Sequence, residues 1–388
     1  MTSSLQSPLR GPALFPGFPL TPEQPISYDP VRKGWNVFGY AEVQEVLSHP
    51  DIFSSNRGGL TPSSTTDTQT PFYSSLIYRD PPMHRQMRAP LMVHFSARQI
   101  ALLEPQITAL VSSLLDQVAS RGEMDLIDDL AAPLPLLVIA HLLGLPQNNW
   151  EQFKHWTEAM FDAPATERQQ AMHEMYDYFS LALDERRNAP GPDLLSALLT
   201  VEVEGHSLTA QELIGNCILF LIAGNETTRN LIGNTLLCLD AHPETMEALR
   251  AHPSLIPGAL EEVLRFLPPV LTSPRVATVD TRLSGQPIKA GQWVMPWIGS
   301  ANRDEAIFAR PELFDIMRTP NRHLSLGYGP HFCLGATLAR LEANIVLEAL
   351  LTRFTSLRRV HSVPLQWIES FHICGVKHLS LTFESRRP

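Results

Sequence analysis

Apolar residues return at intervals of three and four along most of the 388-residue chain, the spacing of a helix face rather than of a strand. Residues 210–240 give the longest such run. Thr209 and Glu212 form a capping-box pattern ahead of it and Pro243 ends it. A helix of about 45 Å is predicted there, long enough to cross the whole domain. Residues 104–187 read as helix after helix, broken at Gly122, Pro133, Gly144 to Pro146 and Pro164. Within them PLLVIAHLLGL is apolar on nearly every side, which predicts burial, and is too short to cross a bilayer. Phe153, Trp156, Phe161, Tyr176 and Phe179 read as core. From Leu334 a further helical run carries Leu338, Leu341, Ile345, Leu347 and Leu350.

Alternation takes over in residues 35–40, in residues 276–297 with turns at Gly285 and Gly291, and in the tail, predicting short strands. Residues 1–30 are rich in proline and read as an extended arm; residues 54–75, rich in Gly, Ser and Thr, read as a loop. The fold class expected is mainly α with small β-sheets, as a single domain over residues 1–388.

Composition narrows the function. A net charge of −10 argues against nucleic acid and anionic membrane as partners. Cys217, Cys238, Cys333 and Cys374 show no pairing pattern, which suits a reducing cytoplasm. The proline-broken N-terminus predicts neither signal peptide nor membrane anchor.

Chemistry concentrates at residues 323–342, HLSLGYGPHFCLGATLARLE. Gly327, Gly329 and Gly335 surround Cys333, and glycines let backbone approach a flat ligand closely. Placed at the start of a helix, Cys333 is expected to favour thiolate. With no second cysteine nearby it cannot build a structural zinc site, but it can be the one protein ligand of a haem iron. Elsewhere the residues alone leave two readings open. His84 and Arg88, four apart, are a solvated basic face or an anion site. Ala223, Gly224 and Thr227 in AGNETT are helix packing with an incidental threonine, or small residues clearing space beside a hydroxyl. Glu262 and Arg265 are an exposed pair of little worth or a buried one.

The cysteine stretch closely resembles that of the cytochrome P450 superfamily. Gly329, His331, Cys333 and Gly335 match; Leu326, seven residues before the cysteine, departs from the family's usual Phe. The resemblance spans residues 35 to 385, with further motifs in the family's order, and implies a long central helix over haem b with Cys333 as iron ligand. It implies haem contacts from Ala223, Gly224, Leu326, Gly327 and Gly335, and propionate contacts from His84, Arg88, Arg275 and His331. Glu226 and Thr227 match the family's acid–alcohol pair. Glu262 and Arg265 match its buried structural pair, with Arg318 or His323 as third member. Leu60, Phe72, Leu76, Val270, Leu271, Thr272 and Ile373 are expected to border the substrate.

The activity implied is that of a soluble prokaryotic monooxygenase, placing one atom of O₂ into a small hydrophobic substrate. A medium-chain fatty acid is the first candidate; a terpene, polyketide or aromatic is the second. Electrons are expected from a separate ferredoxin and its reductase, docking on the thiolate side near Arg85, Arg98, Arg340, Arg353 and Arg358. A monomer is expected. The alternatives are a peroxide-driven or isomerase-type relative and a haem-based ligand sensor.

Overall fold

The computed structural model describes residues 24–56 and 71–386. Its helices are α1 (Tyr40–Ser48), α2 (Met83–Leu91), α3 (Ala97–Ala101), α4 (Glu104–Val118), α5 (Pro133–Leu143), α6 (Trp150–Asp162) and α7 (Ala165–Asn188). There follow α8 (Leu194–Leu199), α9 (Ala210–Ala241), α10 (Pro243–Ala251), α11 (Ile256–Phe266), α12 (Ile298–Ala301) and α13 (Ala336–Arg353).

A five-stranded sheet joins β1 (Ile26–Asp29), β2 (Gly34–Val37) and β3 (Phe53–Ser54) to two later strands. Three strands, β4 (Glu123–Asp125), β5 (Glu202–Val203) and β6 (His206–Ser207), lie between; the later strands are β7 (Arg275–Ala277) and β10 (Trp293–Pro296), flanking the hairpin β8 (Thr281–Leu283) and β9 (Gln286–Ile288). The order in the sheet is β1-β2-β10-β7-β3, with β2 and β10 parallel. The tail strands β11 (Phe354–Arg359) and β12 (Ser380–Ser385) pair with each other and, through β12, with β4. The chain is mainly α with small sheets, as its periodicity predicts. One expectation is corrected: within the arm read for residues 1–30, Ile26–Asp29 is a sheet strand paired with β2.

The central helix forms for local reasons. Thr209 Oγ1 accepts a hydrogen bond from Glu212 N at 3.3 Å, and Thr209 N donates to Glu212 Oε2 at 2.9 Å. This reciprocal cap ties down two N–H groups that the first turn would leave bare. From Leu213 to Leu239 every residue of α9 is buried except Ala223, Gly224 and Thr227. A helix buried all round lies at the centre, so every layer is built against it. Helices α4, α11 and α13 pack on its C-terminal half, while α5, α6 and α7 pack on its N-terminal half.

The pair Glu262–Arg265 is buried, and both side chains are wholly inaccessible. Arg265 Nε and Nη2 donate to the Glu262 carboxylate at 2.8 and 2.7 Å. Its remaining hydrogens reach the carbonyls of Asn302, Pro311 and Leu313. Arg318 is the third member, at 3.2 Å from Glu262. His323 instead pairs with Glu261 at 3.0 Å. Asp315 N and Asn321 Nδ2 also donate to Glu262. Complete satisfaction is what makes a buried ion pair tolerable, and losing one partner strands the others. Glu262→Gln, which leaves two guanidinium groups facing a neutral amide, is expected to cost about 3–5 kcal/mol. A denaturant midpoint left unchanged in that variant would contradict this.

Candidate functional site

The loop ahead of α13 is shaped by its glycines. Gly327 and Gly329 take φ of 78° and 69°, the left-handed region that favours glycine. A Cβ on Gly329 would stand 2.8 Å from Leu47 O, so the loop also lies flush on the end of α1. Cys333 N donates to Leu326 O at 2.7 Å, closing the turn that presents the thiol. Asn302 braces the start of the loop: its Oδ1 accepts from Leu324 N at 2.8 Å and its Nδ2 donates to Ser325 Oγ at 2.7 Å. Nothing in the local sequence of Asn302 announces this role, because its partners lie more than twenty positions away.

Two expectations about Cys333 need correction. The helix begins at Ala336, not Leu334, so Cys333 stands three residues ahead of the helix rather than immediately before it. Its thiol is not poised as thiolate by the protein alone. Burial pushes the pKa up, and the Gly335 N–H, Arg88 and Arg340 pull the other way without overcoming it. Leu326 is half-buried and packs at the edge of the core formed by α9, α11 and α13.

Beside this loop four cationic or imidazole side chains converge from three parts of the chain. His84 and Arg88 come from α2, Arg275 from β7, and His331 from the cysteine loop itself. The rings of His84 and His331 are 4.1 Å apart between centroids. Arg88 Nη2 donates to Phe332 O at 2.7 Å, and His331 Nε2 lies 3.1 Å from Ser55 Oγ. Burial, then the Arg88 charge, brings His84 down to about 4. Burial, then Arg275, His84 and Arg88, brings His331 down to about 2. His84 Nδ1 is buried with no partner. The carboxylate that acts on His84 is Asp80, which is already bonded by Ser54 and Ser55. So much donor capacity and positive charge in a half-buried place calls for anions.

Facing solvent from the middle of α9 is a small patch. Ala223 is exposed and Thr227 half-buried in a stretch otherwise sealed. Thr227 Oγ1 donates to Ala223 O at 3.0 Å, the bond to the carbonyl four residues back. For Gly224 the helix-packing reading is met. A Cβ there would come within 2.8 Å of Ile139 Cγ1, so its size serves the crossing of α9 with α5. Glu226 is 2% exposed. Its Oε1 accepts from Arg229 Nη1 at 2.8 Å and Asn230 Nδ2 at 3.1 Å. Sequence reading missed both partners, although their spacing of three and four residues was the available signal.

Of the expected pocket residues, Leu60 lies outside the described residues. Phe72 is half-buried in the turn Pro71–Ser74, and Leu76 is buried. Gly215 and Asn216 seat this turn on α9: a Cβ on Gly215 would meet Pro71 O at 2.1 Å, and Leu76 N donates to Asn216 Oδ1 at 3.0 Å. Val270, Leu271 and Ile373 come together, Val270 pairing antiparallel with Ile373. Thr272 is buried beside Trp297, and its Oγ1 has no partner.

A flat apolar ligand bearing two carboxylates would satisfy the cluster around His84, and its metal would take the Cys333 sulfur; the class so defined is the haem-thiolate proteins. The sequence agrees, since the Cytochrome P450 family pattern matches residues 125–366. This chain belongs to the cytochrome P450 family. It is 38% identical over 359 residues to the cytochrome P450 monooxygenase PikC of Streptomyces venezuelae, covering 91% of this chain and 86% of that protein. The structure of CYP109E1 from Bacillus megaterium in complex with testosterone matches at a TM-score of 0.86 and 39% identity, over 93% of this chain and 94% of that one. P450BioI in complex with hexadec-9Z-enoic acid ligated acyl carrier protein matches at 0.85 and 36%, over 93% and 96%. The chain is a cytochrome P450 monooxygenase, an oxidoreductase with haem as cofactor that works with O₂ and redox partners. No helix among the described residues is long and apolar enough to cross a membrane.

Proposed function

We propose that this enzyme hydroxylates a small hydrophobic substrate, using haem b held through Cys333 Sγ, with Glu226 and Thr227 managing protons. What supports the reading most is the polar patch on α9, a hydroxyl at an accessible point of a sealed helix beside a buried carboxylate. When bound, haem supplies the redox chemistry that activates oxygen. His84, Arg88, Arg275 and His331 would hold its carboxylates, and the small side chain of Ala223 would leave room for it. Thr227 must turn its Oγ–H from Ala223 O toward the patch to act on a reactant. Glu226 is anchored through Oε1 by Arg229 and Asn230, which leaves Oε2 as the atom that would relay a proton.

The side chains proposed as substrate walls, at residues 72, 76, 270, 271 and 373, are apolar, so orientation would rest on shape. A medium-chain fatty acid remains the first candidate, supported by the acyl ligand of the P450BioI complex. The testosterone in CYP109E1 supports the bulkier second class, the terpenes, polyketides and aromatics. Electrons would come from a ferredoxin and its reductase in a reducing cytoplasm. Arg340 is engaged by Glu261 at 2.7 Å and Arg353 by Asp116, so Arg85, Arg98 and Arg358, all exposed, carry the attraction to an acidic donor.

The test supplies surrogate ferredoxin, reductase, NADH and O₂ with fatty acids and testosterone as substrates. NADH-dependent accumulation of hydroxylated product is expected. Product formed only when hydrogen peroxide is added would move the assignment to the peroxide-driven branch.

A further inference from the structure

We propose that Asn234 is a positioning residue that fixes how far the substrate wall stands from Thr227; the inference rests on the haem-thiolate reading above. Asn234 is wholly buried. Its single amide nitrogen donates to two separate segments, Leu267 O and Cys374 O, each at 3.0 Å. Its Oδ1 has no partner. The amide cannot be turned over, because that would set its oxygen against two carbonyls.

The two segments so joined carry the wall. Cys374 N donates to Pro269 O at 2.9 Å and Leu271 N to His372 O at 2.7 Å, with Val270 and Ile373 paired between them. They form a short ribbon, and Asn234 grips one end of it. A second contact holds the ribbon against α9: a Cβ on Gly375 would stand 2.2 Å from Asn230 Oδ1 and 3.0 Å from Asn230 Cβ.

Asn234 is seven residues beyond Thr227, just under two turns, so both lie on nearly one face of α9, about 10 Å apart along its axis. A single rigid helix therefore carries both the hydroxyl and the mount of the ribbon. The amide fastens at some cost, since its own Oδ1 stays unpaired. A leucine would fill the space but leave Leu267 O and Cys374 O without their donor. What leucine cannot do is hold two carbonyls at one fixed height over the helix.

The test uses Asn234→Leu and Gly375→Ala in the haem-loaded protein, with imidazole and 4-phenylimidazole as nitrogen ligands followed by the red shift of the Soret band. Imidazole, the smaller ligand, serves as the internal control. In both variants its dissociation constant is expected to hold, while that for 4-phenylimidazole changes by about tenfold, a hydrogen bond's worth of positioning. Equal changes for the two ligands, or none for the larger one with only a lowered thermal midpoint, would reduce Asn234 to a structural fastening. If Asn234→Leu fails to load haem, Gly375→Ala decides by the same ratio. A wild-type protein whose Soret band ignores imidazole would overturn the haem-thiolate reading instead.

Discussion

Cys333→Ser is expected to abolish the red-shifted Soret band of the reduced carbon monoxide complex. The band reports thiolate ligation of the iron, and a serine oxygen is a harder, less electron-donating ligand. Because burial raises the Cys333 thiol pKa in the protein alone, a bound iron would supply the remaining pull towards thiolate, as metals do with coordinating thiols. The serine hydroxyl, far less acidic, gains much less from the same partner. Haem content is expected to fall in the variant while the helical far-ultraviolet signal stays, since the glycine turn and the Cys333 N–H bond to Leu326 O are backbone features. A red-shifted band surviving in Cys333→Ser would remove this residue from the iron.

The second large effect lies on α9. Thr227→Val keeps the shape and deletes the hydroxyl, so packing is preserved. NADH and O₂ are expected to be consumed still, while product falls and hydrogen peroxide is released. Glu226→Gln is expected to slow O₂ consumption itself, by about two to four powers of ten if its carboxyl is the proton source. In addition it leaves Arg229 facing an amide, which can still accept its hydrogen bond through Oε1. Product formed per NADH, measured for both variants with excess redox partner, separates the two roles. Wild-type coupling in Thr227→Val would dismiss the hydroxyl as a packing group and bring the peroxide-driven branch forward.

What could be read in advance was whatever depends on neighbours in sequence. The capping box at Thr209 and Glu212 and the pairing of Glu262 with Arg265 are local, three residues apart, and both stand in the fold. The cysteine loop was legible because glycine restricts meaning: a left-handed φ at Gly327 and Gly329 leaves few other residues possible. What escaped depends on partners far along the chain. At Gly224 packing and cleared space stay equally open in the sequence, because Ile139, which the glycine accommodates, belongs to another helix. Asn302 and Asn234 look like ordinary polar residues until the carbonyls and hydroxyls they bridge are in view. The thiol's acidity was misjudged because a helix terminus was weighed and burial, unknowable from spacing, was not.

The seat of Pro71 on Gly215 has a practical meaning for anyone wishing to retool the enzyme. With a backbone carbonyl where a Cβ would stand, and Asn216 bonded to Leu76 N one residue on, the span 71–76 is registered to α9 and not to its own side chains. A mutational library aimed at new substrates should therefore randomise the half-buried Phe72, whose contribution to the turn is a backbone carbonyl and ring contacts with Tyr73 and Tyr78, and leave Gly215 and Asn216 untouched. Diversity placed at 215 would spend most of its members on proteins whose loop no longer sits, whereas diversity at 72 tests that proposed wall residue on an unchanged foundation.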